Sequence, residues 1–265
     1  MSLLDTLNGS PLFHAAADRR GLRKAAGFAL KQLPIVRRAP NGAKYRLRYV
    51  DSIPLEKEIF EDKVYDPALR RDLTTFADLG CNVGQFVARL ADFTERRDLR
   101  GLAIDADRDM IAETSWVVRA NGLDGVVPIL GLVGDSAASG AVGDFFVNDV
   151  KMKSSRFTTP DGHSHTRDAW TRTRVPYLDV ELLWRGALGD ARCDLLKIDI
   201  EGSEADFIRP ENPFLKRVDR IVLECHKWIV SAAEIRERLR VAGFPHVRVL
   251  EETDALEVAY FTREP

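Results

Sequence analysis

From about Thr74 onward, short apolar runs alternate with stretches of helical period, the texture of βα units wound around a parallel sheet. The runs at residues 75–79, 102–105, 126–133, 195–200 and 220–224 are apolar on both alternating faces, which predicts strands buried from either side. A helix is expected over 232–241, stopped by Gly243 and Pro245. The tail then changes period: residues 246–250 and 256–261 alternate, and Glu252-Thr253-Asp254 between them reads as a hairpin connection. Five buried strands and a two-stranded tail predict an α/β fold with a doubly wound, mostly parallel seven-stranded sheet.

Before this region the pattern is different. Residues 12–33 carry apolar positions at helical spacing, with Arg19, Arg20, Arg23, Lys24 and Lys31 on the other positions and Pro34 closing the segment, so one or two amphipathic helices are expected. Asn41-Gly42 marks a turn, 44–50 alternates like a half-buried strand, and 55–60 suits a short helix. This divides the chain into an N-terminal helical and small β extension, 1–72, and a main domain, 73–265. Inside the main domain, Phe145-Phe146-Val147 reads as an extra strand. Residues 151–174, with Pro160, Asp161, Gly162, His163, His165 and Trp170, read as a polar loop, long enough to serve as a lid over a ligand.

Composition changes this picture little. The chain is 45% hydrophobic and 30% charged with a formal net charge of −2, which leaves no basic excess for nucleic acid. Cys81, Cys193 and Cys225 are odd in number and far apart, so neither a disulfide framework nor a cysteine metal pattern is expected, and a reducing cytoplasm suits them. No run approaches the roughly 18 to 20 apolar residues that span a bilayer, so stable membrane insertion is not expected.

Three motifs carry candidate chemistry. In Asp78-Leu-Gly80-Cys81-Asn82-Val-Gly84 a buried strand runs into two glycines at a helix start, where the backbone can take positive φ and approach a ligand closely. Asp78 there suits a ligand with an ammonium group, and the spacing departs from the G-x-G-x-x-G of dinucleotide sites. The second motif is Gly101-Leu-Ala-Ile-Asp105: a carboxylate at a strand end about twenty residues on can accept protons from both ribose hydroxyls of a nucleoside, or else cap the next helix with Asp107. Asp135, after the third strand, is a comparable acid near an adenine amino group, or part of an ordinary turn. The third is Asp194-Leu-Leu-Lys-Ile-Asp-Ile-Glu-Gly-Ser-Glu204, whose Lys197, Asp199, Glu201 and Glu204 are costly to bury unless paired or placed at the open strand end, where ligands of such sheets sit.

That third segment, together with 78–86 and the Glu224-Cys-His226 strand end, resembles the FkbM family of S-adenosylmethionine-dependent methyltransferases; Val175-Pro-Tyr-Leu-Asp179 resembles the short stretch that precedes the segment in that family. The resemblance implies the Rossmann-like methyltransferase fold, in which an antiparallel hairpin closes the sheet, with S-adenosyl-L-methionine as cofactor. It also implies O-methylation of a small-molecule or glycan acceptor, typically a hydroxyl of a sugar or natural product. Asp105-Ala106 stands where the family more often has Glu-Pro, and Cys81 where Ala is usual. Cofactor contacts are therefore expected from Asp78, Gly80, Cys81, Asn82, Gly84, Asp105, Asp135 and Asp199.

An aliphatic hydroxyl must lose its proton as it attacks, and Asp199 and His226 are the expected catalytic groups. His226 has an ordinary pKa near 6.5, which suits a base; a structural histidine beside Trp228 is the alternative. Asp199, Glu201 and Glu224 without ligand spacing do not establish a metal, so none is expected. Gly80→Val is expected to weaken cofactor binding without unfolding the chain. Two other readings share parts of the pattern: an NAD-dependent oxidoreductase, which needs G-x-G-x-x-G and no hairpin, and a non-catalytic Rossmann-like binding protein, which has no need of Asp78, Gly80, Gly84 and Asp105 together.

Overall fold

The computed structural model describes residues 20–134, 138–148, 154 and 170–264. Its centre is a seven-stranded sheet of β3 (Thr75–Leu79), β4 (Arg100–Asp105), β5 (Gly125–Leu130), β8 (Leu195–Ile198), β9 (Arg220–His226), β10 (His246–Glu252) and β11 (Leu256–Thr262), in the order β10-β11-β9-β8-β3-β4-β5. Every neighbouring pair from β9 to β5 is parallel, and β11 runs antiparallel to both β9 and β10. The expected doubly wound sheet with its closing hairpin is thus the fold observed. The chain leaves β3 in one direction for β4 and β5, and later fills the other side with β8 and β9. That reversal places the topological switch point between β3 and β8, where the carboxyl ends of the strands open a crevice.

Alternation along the strands sends side chains to two cores. On one face Phe76, Ala103, Leu195 and Val222 pack with α3 (Gln85–Thr94) and α4 (Arg108–Asn121); on the other Ala77, Leu79, Leu196, Ile198 and Leu223 pack with α5 (Val180–Leu188) and α6 (Ala232–Val241). Asp78 follows Phe76 onto the first face, and the parallel register sets it directly opposite Lys197 of β8.

The N-terminal segment joins the first core. After α1 (Arg20–Gln32), β1 (Ile35–Arg38) and β2 (Lys44–Leu47) form an antiparallel hairpin whose turn holds Gly42 at φ 93°. Asn41 donates to Asp92, Asn121 bonds both backbone groups of Lys44, and Arg46 and Arg48 pair with Glu113. Tyr45, Leu47, Ile59 and Tyr65 lie in one cluster with Phe86 and Leu90, so the described part of 1–72 shares the core of the main domain.

Four local expectations need correction. The helix expected at 55–60 begins earlier, as α2 (Ser52–Glu56), and continues as a π-helical stretch, Lys57–Asp62. The expected strand at 126–133 stops at Leu130, because Leu132 turns away to exchange backbone hydrogen bonds with Pro176 and Leu178. At 195–200 the strand ends at Ile198. The polar interval 151–174 is not loop to its end: β7 (Trp170–Pro176) pairs antiparallel with β6 (Val142–Asn148), the strand foreseen at Phe145. Asp135, His163, His165 and residues 12–19 lie outside the described residues. Among the described residues no helix is long and apolar enough to cross a membrane.

Candidate functional site

The switch point is built by a strand-to-helix turn that only small and special residues can make. Gly80 (φ 79°) and Asn82 (φ 48°) both take left-handed backbone. Backbone N–H groups of Gly80 and Cys81 donate to Ile104 O at 2.9 and 3.0 Å, hooking the turn over β4. A Cβ at position 80 would stand 1.6 Å from Asp199 O, so glycine is required by the neighbouring strand end itself. Gly84 (φ 77°) opens α3, where a Cβ would approach Thr114 Cα to 2.9 Å. Thr114 also donates to Asn82 O and contacts the Cys81 thiol at 3.4 Å, tying the turn to α4.

Asp105, at the end of β4, faces this turn. Its Oδ2 accepts from Asn82 N at 2.9 Å and its Oδ1 from Asp107 N at 2.8 Å. Burial pushes its carboxyl up to about 7 against the pull of those two N–H groups. Asp107 caps α4 separately, accepting from Asp109 N. From Asp105 an open cleft of about 890 Å³, solvent at its mouth included, runs along the carboxyl ends of the strands. Ile104, Met110, Leu132 and Phe145 give it apolar wall near Asp105, and Glu58, Asp199, Glu201 and Glu224 also line it.

The acidic part is arranged around two cations. Lys197, buried in the strand beside β3, reaches Asp78 at 3.5 Å, Asp199 at 3.6 Å and Gly80 O at 3.3 Å, with the Tyr65 and Phe86 rings 5.8 Å away. Burial alone would lower its pKa, but Asp78, Asp199, Glu224 and Glu58 together hold it raised. Burial raises Asp78 to about 6, opposed by Lys197. Tyr65 donates to Glu58 at 2.6 Å and approaches Glu224 at 3.3 Å. Burial, then Asp199, pushes Glu224 up to about 8, while His226 pulls it down. His226 is buried with Nδ1 3.0 Å from Glu204 and Nε2 3.3 Å from Glu201. Burial by itself would lower its pKa, and the two carboxylates outweigh that and hold it well above the usual value.

The structure therefore brings Gly80, Asn82, Asp105 and Asp199 together around the cleft. Asp78 lies beneath it, and its carboxylate meets an ammonium of the chain itself instead of presenting to a ligand. Cys81 is buried against Thr114, and Gly84 serves the packing of α3 on α4. His226 is not among the cleft's lining residues; it is held by two glutamates behind them, with Trp228 edge-on at 6.5 Å between centroids. The sequence reading passed over Glu58 and Tyr65. No periodic signal marks them, because they enter the site only through the packing of the N-terminal segment on α3.

A parallel sheet closed by a reversed last strand, with its cleft at the switch point, defines the class of α/β proteins that hold a nucleotide-like ligand at the strand ends. Residues 126–245 match the family model described as Methyltransferase FkbM domain, the family that the acidic strand-end segment resembles. The glycine turn and Asp105 precede the matched residues. Among solved structures, methyltransferase FkbM from Methylobacillus flagellatus KT is similar at 14% identity over 73% of this chain and 44% of that one, with a TM-score of 0.45. This chain thus spans less than half of that protein's length. A SAM-dependent methyltransferase from Aquifex aeolicus is similar at 15% identity over 78% and 92% of the two chains, with a TM-score of 0.44. No curated protein matches.

Proposed function

We propose that this protein is an S-adenosyl-L-methionine-dependent O-methyltransferase whose acceptor is a hydroxyl of a sugar, glycan or natural product. The observation that carries the reading is Asp105, fixed at the rim of the cleft by two backbone N–H groups. A carboxylate has about four lone-pair directions, so two remain for a pair of vicinal hydroxyls. Ile104, Met110, Leu132 and Phe145 offer apolar surface to a flat purine. The residues present fit the cofactor.

When bound, S-adenosyl-L-methionine supplies a methyl group on a sulfonium, activated for displacement. The chain has to orient the acceptor oxygen in line with that methyl, keep water away and take the hydroxyl proton. Glu58, Asp199 and Glu224 line the cleft together and provide carboxylate oxygens for that proton. Asp199 is further oriented by Lys197, and Glu58 by Tyr65. His226 supports the position of Glu201 from behind.

Calorimetric titration with S-adenosyl-L-methionine and S-adenosylhomocysteine, with NAD as control, tests the reading. Saturable binding of the first two, lost in Asp105→Ala, is expected, followed by methyl transfer in a screen of sugars and hydroxylated metabolites. Binding of NAD alone, or of none of the three by folded protein, overturns it.

A further inference from the structure

We propose that α1 is a docking surface for an anionic lipid bilayer, on which the protein lies peripherally. The helical spacing of the sequence puts Ala25, Ala26, Ala29 and Leu33 on one side of α1, and Arg20, Lys24, Gly27 and Lys31 on the other. Leu33 still belongs to the last turn, since its N–H donates to Ala29 O at 2.8 Å. A surface helix ordinarily turns its apolar side to the body of the protein. Here the other side does so: a Cβ at Gly27 would come within 3.8 Å of the Val50 side chain, and Lys31 Nζ stands 5.7 Å from the centre of the Tyr49 ring. Ala25, Ala26 and Ala29 are exposed, Phe28 is 68% exposed and Leu33 80%. From Ala25 to Gln32 no side chain is buried.

A lone helix of this length is marginal in water and takes its stability from burying its apolar side. Among the described residues nothing covers that side of α1. Charge indicates what does. The whole chain has a net charge of −2, yet no Asp or Glu occurs from Arg19 to Val50, and the charged residues of α1 are Arg20, Arg23, Lys24 and Lys31. Their own stretch of chain therefore supplies them no acid. A second copy of the helix would set Lys and Arg against Lys and Arg, and a nucleic acid would leave Phe28 and Leu33 in water. An anionic bilayer satisfies both sides at once. Phe28 and Leu33 enter the boundary between headgroups and acyl chains, and Lys and Arg side chains are long enough to reach lipid phosphates from the far side of the helix. Since Gly27 and Lys31 face the body, the docked helix lies between body and bilayer. Tyr49, on which Lys31 rests, packs with Met110 and Leu55 of the cleft wall, so the docking surface adjoins the cleft.

The surface stands on α1 and does not rest on the methyl-transfer reading. The test is co-sedimentation of the full chain with vesicles of phosphatidylcholine alone and of phosphatidylcholine with about 30% phosphatidylserine, at low and at near-physiological salt. Binding to the anionic vesicles alone is expected, weakened by salt. It should fall at least about tenfold in Phe28→Glu with Leu33→Glu, and at least about tenfold in Arg20→Gln with Lys24→Gln. Arg240→Gln, which removes an exposed cation paired to Glu237, should leave it unchanged. Far-UV circular dichroism establishes that each variant is folded. Absence of sedimentation with either vesicle overturns the proposal, as does equal binding to both or binding undiminished in the two double variants. Rival occupants have their own readouts, each of which overturns it as well. A dimer seen by light scattering and dissociated by Phe28→Glu with Leu33→Glu assigns the face to a second copy. A melting temperature lowered by that pair without vesicle binding assigns it to another part of this chain. Binding of a single-stranded oligonucleotide, lost in Arg20→Gln with Lys24→Gln, without vesicle binding assigns the charge to nucleic acid.

Discussion

The two ends of the cleft handle carboxylates in opposite ways. At one end Asp105 meets backbone N–H groups only, one on each oxygen, and the nearest walls are apolar. At the other, Glu58, Asp199, Glu201 and Glu224 crowd together, with Lys197 and His226 the cations in contact. Fixed N–H groups make Asp105 a stationary acceptor suited to a neutral diol, where nothing needs to move during a reaction. Carboxylates that share too few cations instead take up a proton more readily, as the raised Glu224 does, which suits the end where a proton has to leave a substrate. Lys197 joins the two, touching Asp78 beneath the glycine turn and Asp199 at the acidic end.

Removing that link should have the largest effect. Lys197→Met leaves Asp78 buried without its partner, and loss of one member of a buried pair costs about 3–5 kcal/mol; a denaturant titration should show it, and an unchanged midpoint would mean Asp78 is neutral in the folded chain. Next comes Gly80→Ala. Left-handed backbone costs a residue with a Cβ about 1–2 kcal/mol, and here the methyl also meets Asp199 O, so a loss of at least about 2 kcal/mol is expected together with weakened cofactor binding. The expectation that Gly80→Val would spare the fold is thereby corrected: β8 ends against the glycine.

Asp105→Ala removes two acceptors for ligand hydroxyls at about 1.5 kcal/mol or more for each charged hydrogen bond, so S-adenosyl-L-methionine affinity should fall on the order of a hundredfold by calorimetry. Wild-type affinity retained in that variant would assign the cofactor elsewhere. The smallest effect is the pH profile. With the carboxyl raised to about 7, the ionised form that accepts from hydroxyls is lost as pH falls below that value, so affinity should drop by up to about tenfold per pH unit. Stability of the free chain runs the other way. The folded state holds the Asp105 proton longer than the unfolded one, so its contribution is complete below about pH 4 and is lost as pH rises through about 7. Asp105→Asn should flatten both dependences, and a persisting midpoint near 7 would assign them to another group.

The strand pattern shows why some of this was legible in advance. The buried runs, the glycine turn and the closing hairpin are local signals, because periodicity and positive-φ residues act over a few positions. The position of Asp105 at the cleft follows from the same kind of signal, since it is the last residue of a strand. The partner of Asp78 does not, since it is set by the register of β3 against β8, more than a hundred residues away. Asp194 shows the same dependence: one oxygen of this first acid in the strand-end segment accepts from Thr74 N, Thr75 N and Thr74 Oγ1, pinning β8 to β3 at the edge away from the cleft.

By itself the sequence determined the class of fold and the strand ends from which a site could be built, because burial on both faces and the turn chemistry are written in consecutive residues. Only the tertiary structure decided which charges meet: Lys197 with Asp78, Tyr65 with Glu58 and Glu224, and His226 among Glu201, Glu204 and Glu224. Ionic and hydrogen-bond contacts act over a few ångströms, and strand pairing brings distant segments within that range at a register that no local pattern encodes.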